Sequence, residues 1–106
     1  MLTTVSKLFD QLVERYRLVN LSDETARAFA LVAHERESQN MKWGVQSMHA
    51  PMWLAVLTEE VGELAQAIVE KECGRYSGGL DQIKKELTQV AAVAVQWLEA
   101  LEDGRA

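Results

Sequence analysis

Two short acidic runs interrupt apolar helical stretches of this chain: Glu59-Glu60-Val61-Gly62-Glu63 and Glu86-Leu87-Thr88-Gln89. Residues three or four apart share a helix face, because successive side chains turn by about 100°. On that period the first stretch carries an apolar seam of Leu54, Leu57, Val61, Leu64 and Ile68. The second carries Leu80, Ile83, Leu87, Val90 and Ala94. When Leu54 is laid on Leu80 the seams coincide, Glu60 falls on Glu86 and Glu63 on Gln89. Each helix is therefore expected to hold a polar pair on the same shoulder of its seam. Packed together, the two would aim four oxygen-bearing side chains at one place.

A partly buried carboxylate must be paired, hydrogen-bonded or bound to a metal, or it takes up a proton. No Lys or Arg recurs on these faces at the matching spacing; Lys84 and Lys85 lie on one helix only. A hard divalent cation with oxygen ligands is the natural partner. Mg²⁺ suits the set, because it accepts a few carboxylates and leaves other positions to water and phosphate. A solvated acidic edge is the competing reading for one such helix; its repetition on two favours the cation.

The remaining chain reads as a bundle. Thr4 to Val19 predicts a first helix with Val5, Leu8, Phe9, Leu12, Val13 and Tyr16 inward. Ser22 is a candidate N-cap, with Asp23 and Glu24 in the first turn of a second helix to about Gln39. Phe29, Ala30, Leu31 and Ala33 give that helix a weak apolar face. Asn40 to Ala50 is expected as a loop, and Pro51 as the first residue of a third helix to about Cys73. The short loop from Gly74 to Gly79 makes the third and fourth helices antiparallel neighbours, and Gly104 stops the fourth after Glu102. There is no strand signal, so the expected class is all-α, a four-helix bundle in a single domain over residues 1–106.

Composition narrows the function. At 106 residues, 48% hydrophobic, the chain can bury a modest core. A formal charge of −5 argues against a nucleic-acid groove or an anionic membrane surface. Met1 to Lys7 lacks the apolar run of a signal peptide, and no stretch reaches bilayer-spanning length. Cys73 is the one cysteine, which suits a reducing cytoplasm.

The acidic runs and their surroundings resemble the MazG-like all-α nucleoside triphosphate pyrophosphohydrolases. The likeness rests on Trp43-Gly44-Val45-Gln46, His49-Ala50-Pro51, the stretch from Leu57 to Ile68, and that from Glu86 to Ala94, and covers roughly Gln39 to Leu101. It implies a MazG-type fold and Mg²⁺-dependent cleavage of a nucleoside triphosphate between its α- and β-phosphates, giving monophosphate and pyrophosphate. Mn²⁺ is a possible substitute. Glu60, Glu63 and Glu86 are then metal ligands, joined by Gln89, whose carbonyl oxygen is a weaker ligand where the family usually has Asp. Glu59 and Glu60 are the catalytic candidates, Glu59 to orient or deprotonate the attacking water. Trp43, His49, His34 and Lys85 are candidates for the substrate's base and phosphates. Each also has a plainer reading, as bundle plug, structural histidine or solvated charge. Similar proteins are dimers or tetramers, so a homodimer or homotetramer is expected. Gln89 keeps open a different class, a non-catalytic nucleotide-binding or oligomerising helical module.

Overall fold

A computed structural model describes Lys7, residues 22–72 and residues 79–106. Within these residues the protein is all-helical, with α1 over Asp23–Trp43, α2 over Ala50–Glu72 and α3 over Leu80–Glu102. The expected first helix, the loop from Gly74 and Cys73 lie outside the described residues, Lys7 and Gly79 excepted. The described residues hold three helices, the expected second, third and fourth.

The helix ends follow their local chemistry. Ser22 caps α1, its hydroxyl accepting from the Thr25 amide at 3.2 Å, with Asp23 and Glu24 at the positive end of the helix dipole. The helix then runs one turn past the expected stop at Gln39 and ends at Gly44, whose φ of 70° favours glycine. Trp43 accordingly closes a helix rather than lying in a loop. Ala50 instead of Pro51 opens α2; proline is tolerated there because first-turn N–H groups have no partner inside the helix. α3 ends in a Schellman turn: Arg105 N donates to Ala100 O at 2.7 Å and Gly104 N to Leu101 O at 3.3 Å, with Gly104 at φ 70°.

α2 packs antiparallel on α3, since Trp53 meets Trp97 near one end while Glu70 and Gln82 line a common recess near the other. α1 lies parallel to α3 on another side, with His34 beside Lys85 and Gln39 beside Gln96. Among the described residues the fully or nearly buried apolar side chains are Trp53, Ala67, Ala92, Val93 and Ala100. The rings of buried Trp53 and half-buried Trp97 stack at 6.5 Å.

These packing partners correct the expected seams. The buried line of α2 runs through Trp53, Glu60 and Ala67, and that of α3 through Glu86, Val93 and Ala100. Leu54, Val61, Ile68, Leu80 and Leu87 lie one position along and are exposed. Burying Trp53 and interlocking small Ala side chains turns both helices by about one residue, which carries the glutamates from the shoulder into the seam itself. The expected apolar face of α1 is corrected too. Phe29, Ala30, Leu31 and Ala33 face outward, while Val32, Arg36 and Gln39 turn inward.

A polar clasp explains the turn of α1. Arg36 Nε donates to both carboxylate oxygens of Glu99 at 3.2 Å, and Nη1 and Nη2 donate to Gln39 Oε1 at 2.8 Å and Asn40 Oδ1 at 3.0 Å. Bidentate arginine–carboxylate pairing is the stronger kind of charge-assisted bond. Arg105 meanwhile donates to the Gln46 carbonyl, and Ser47 Oγ to the Arg105 carbonyl at 2.8 Å. The connection between α1 and α2 is thereby tied to the end of α3.

Candidate metal centre and its clefts

Glu60 and Glu63 share one face of α2 across a single turn, and Glu86 faces them from the buried line of α3. One carboxylate oxygen from each lies within 4.8 Å of the others. Three hard oxygen donors so close, from two helices, form a donor set suited to Mg²⁺ or Mn²⁺. Burial lifts the Glu60 carboxyl to about 7, with the charges of Glu63, Glu86 and Glu59 adding to the rise. The protein thus concentrates negative charge that its own described cations do not offset, and the residues fit a divalent ion.

Amide groups buttress the cluster. Gln82 Nε2 donates to Glu86 Oε1 at 2.8 Å. Gln89 reaches both helices' carboxylates: with its amine turned toward them, as two acceptors require, Nε2 donates to Glu60 Oε2 at 3.2 Å and Glu86 Oε2 at 3.3 Å. Its carbonyl oxygen, expected to face the cation, is turned away in this arrangement. Glu59 is exposed and stands outside the set of three, close enough for its charge to act on Glu60.

One cleft reaches this centre at Glu60, a second adjoins it through Gln89, and the recess that Glu70 and Gln82 line also holds Glu63 and Glu86. The first, of about 290 Å³, lies between α1 and the other helices, with Glu60 and Gln89 at one side, Val56 and Val93 in its walls and Trp43 among its lining residues. Trp43 is 63% exposed, and Lys42 Nζ stands 5.7 Å from its ring centroid, within cation–π range. The second, of about 270 Å³, is lined by His34, Lys84 and Lys85 among others and shares Glu35 and Gln89 with the first. The structure therefore groups Trp43 with the acidic centre and groups His34 with Lys85 on the adjoining side. His49 lines neither cleft; it precedes α2, where its carbonyl accepts from the Met52 and Trp53 amides.

Residues the sequence did not single out complete the first cleft: Glu35, Gln39 and Lys42 from α1, Gln46, and Gln96 from α3. Their signal was the helical spacing itself. Gln89, Val93 and Gln96 fall at i, i+4 and i+7, and so do Glu35, Gln39 and Lys42.

No helix among the described residues is long and apolar enough to cross a membrane. No family model matches the chain, and neither the curated proteins nor the solved structures contain a match to it.

Proposed function

We propose that this chain is a Mg²⁺-dependent nucleoside triphosphate pyrophosphohydrolase of the MazG-like kind. The observation that carries the proposal is the convergence of Glu60, Glu63 and Glu86 beside a cleft that also holds Trp43. In this reading those three carboxylates hold the ion, which when bound neutralises phosphate charge and lowers the pKa of water. The nucleoside occupies the first cleft, where Trp43 offers an aromatic face. His34, Lys84 and Lys85 lie on the side that would receive the leaving phosphates. Water adds to the α-phosphorus, the bridging bond to the β-phosphate breaks, and pyrophosphate departs with the electron pair. Glu59, exposed one residue from the ligands, accepts the proton of the attacking water.

The homo-oligomer belongs to the same reading. Leu54, Val61 and Ile68 on α2 and Leu80, Leu87, Leu98 and Leu101 on α3 are each at least 42% exposed. Apolar surface repeated along helices in this way supports an interface with further copies.

The test is a nucleotide panel with Mg²⁺ or Mn²⁺ that resolves pyrophosphate from single phosphate. Monophosphate and pyrophosphate, lost in Glu60→Gln and in Glu86→Gln, are the expected products. A second reading, a nucleotide-binding module without turnover, draws on one observation: the Gln89 amine stands against Glu60 and Glu86, where an Asp would add a fourth carboxylate. Gln89→Asp should tighten Mg²⁺ binding. If folded wild-type protein releases nothing from any nucleotide while Gln89→Asp does, the second reading is the correct one.

A further inference from the structure

The first cleft is lined by a side-chain amide that no described residue holds. Gln96 is 8% exposed, lines the cleft and makes no hydrogen bond with any of the described residues. The sealed polar atoms without a partner among the described residues are the Trp53 and Trp97 indole nitrogens, so the Gln96 amide opens to the cleft it lines, where a ligand can meet it. Gln39 lines the same cleft and is 6% exposed, yet its state differs. Its Oε1 is held by Arg36 Nη1 at 2.8 Å, and Arg36 is itself fixed by both oxygens of Glu99. The clasp that docks α1 thus also sets the polarity of Gln39: the oxygen is occupied, and the amine is what the residue can offer a ligand.

We propose that Gln39 and Gln96 read the hydrogen-bonding edge of a nucleobase seated against Val56 and Val93, and that Gln96 sets the base preference. Gln39 supplies a fixed donor, so the base must present an acceptor to it. Gln96 supplies both an oxygen and an amine, which match a neighbouring donor–acceptor pair on the ring. Val56 and Val93 give apolar contact to a flat heteroaromatic face, and Glu60 and Gln89 place the acidic centre at the cleft's other side. The nucleotide identity of the ligand rests on the pyrophosphohydrolase reading; the edge-reading roles rest on the cleft.

The experiment separates the two. Binding of AMP, GMP, CMP and UMP is measured by calorimetry in EDTA, where no hydrolysis occurs, for wild type, Gln96→Met and Gln96→Glu. Wild type is expected to prefer one base by about 10-fold or more, since a site built to hydrogen-bond a ligand rejects one lacking the match. Gln96→Met should reduce that preference to within a few-fold. Gln96→Glu, which exchanges the amine for a second acceptor, should shift the preference toward bases with a donor at that edge. These outcomes uphold the inference even where no triphosphate is cleaved. Equal binding of the four monophosphates by wild type, binding of none, or a base preference unchanged in both folded variants overturns it, even if pyrophosphate release is observed.

Discussion

The two packing faces of α3 are built in opposite ways. Toward α2 it presents an apolar line in which Trp53, Trp97, Ala67 and Val93 interlock, with a carboxylate cluster set into the middle. Toward α1 it presents polar groups, and the contact centres on one arginine bonded to Glu99, Gln39 and Asn40. The apolar face makes a rigid frame that can hold three glutamates in register against their repulsion. The polar face holds α1 by a clasp and leaves open the cleft beside it. Close packing is thus concentrated around the carboxylates, and open space lies beside the clasp.

The largest expected effect is on the apolar face. Trp53 is fully buried, so Trp53→Ala should cost about 3–5 kcal/mol in urea unfolding. Arg36→Ala comes next. Because half-exposed Glu99 regains water when the arginine is lost, the cost should be about 1–3 kcal/mol. Hydrogen exchange would sharpen the contrast: α1 amides should exchange faster in Arg36→Ala while α2 and α3 stay protected. Equal loss of protection in all three helices would show that the two faces form one cooperative unit.

A subtler effect concerns the charge within the frame. Burial and the neighbouring carboxylates push Glu60 up from its ordinary 4.5 to about 7, so the folded state holds the proton more tightly. Without metal this stabilisation is fully present below about pH 4.5 and is lost as pH rises through 7. Thermal unfolding in EDTA should therefore show a Tm that falls over that window, and Glu60→Gln should flatten this part of the curve. A wild-type Tm that holds level or rises from pH 4.5 to 7, or a variant whose Tm falls as steeply as wild type's, would contradict the assignment.

Smallest is a change at Gly62, in α2 between Val61 and Glu63. A Cβ there meets open space, so Gly62→Ala should stabilise the helix by roughly 0.5–1 kcal/mol. If stability rises while turnover falls, a ligand or a second copy approaches that spot.

Much of this was legible in the sequence, and the errors have a common cause. The acidic residues were identified by their helical spacing, and Ser22, Gly104 and the α3 boundary follow from local backbone chemistry. The seams were read one residue off because the larger aliphatics Leu54, Val61, Leu80 and Leu87 outweigh Ala67, Ala92 and Ala100 in any count of apolar size. Close helix packing favours small residues at the contact, which a hydrophobicity pattern undervalues. The inward face of α1 was missed for the converse reason. Arg36 and Gln39 are buried because their partners are supplied by Glu99 and by each other, and Glu99 lies 63 residues away in sequence. The amides of the cleft share that limit: Gln39 and Gln96 gain meaning only once two helices bring them to the same space.

The central claim is that the glutamates in the α2–α3 seam are held there for a divalent cation. The most direct measurement is the unfolding temperature at pH 8 as Mg²⁺ is titrated, for wild type and for Glu60→Gln. Binding to the folded state alone stabilises by about 2.7 kcal/mol at a concentration 100 times the Kd, so the wild-type Tm should climb with Mg²⁺ while that of Glu60→Gln moves little. A wild-type Tm indifferent to Mg²⁺, or one matched by the variant at every concentration, would contradict the claim and leave the seam's carboxylates as charge the fold merely tolerates.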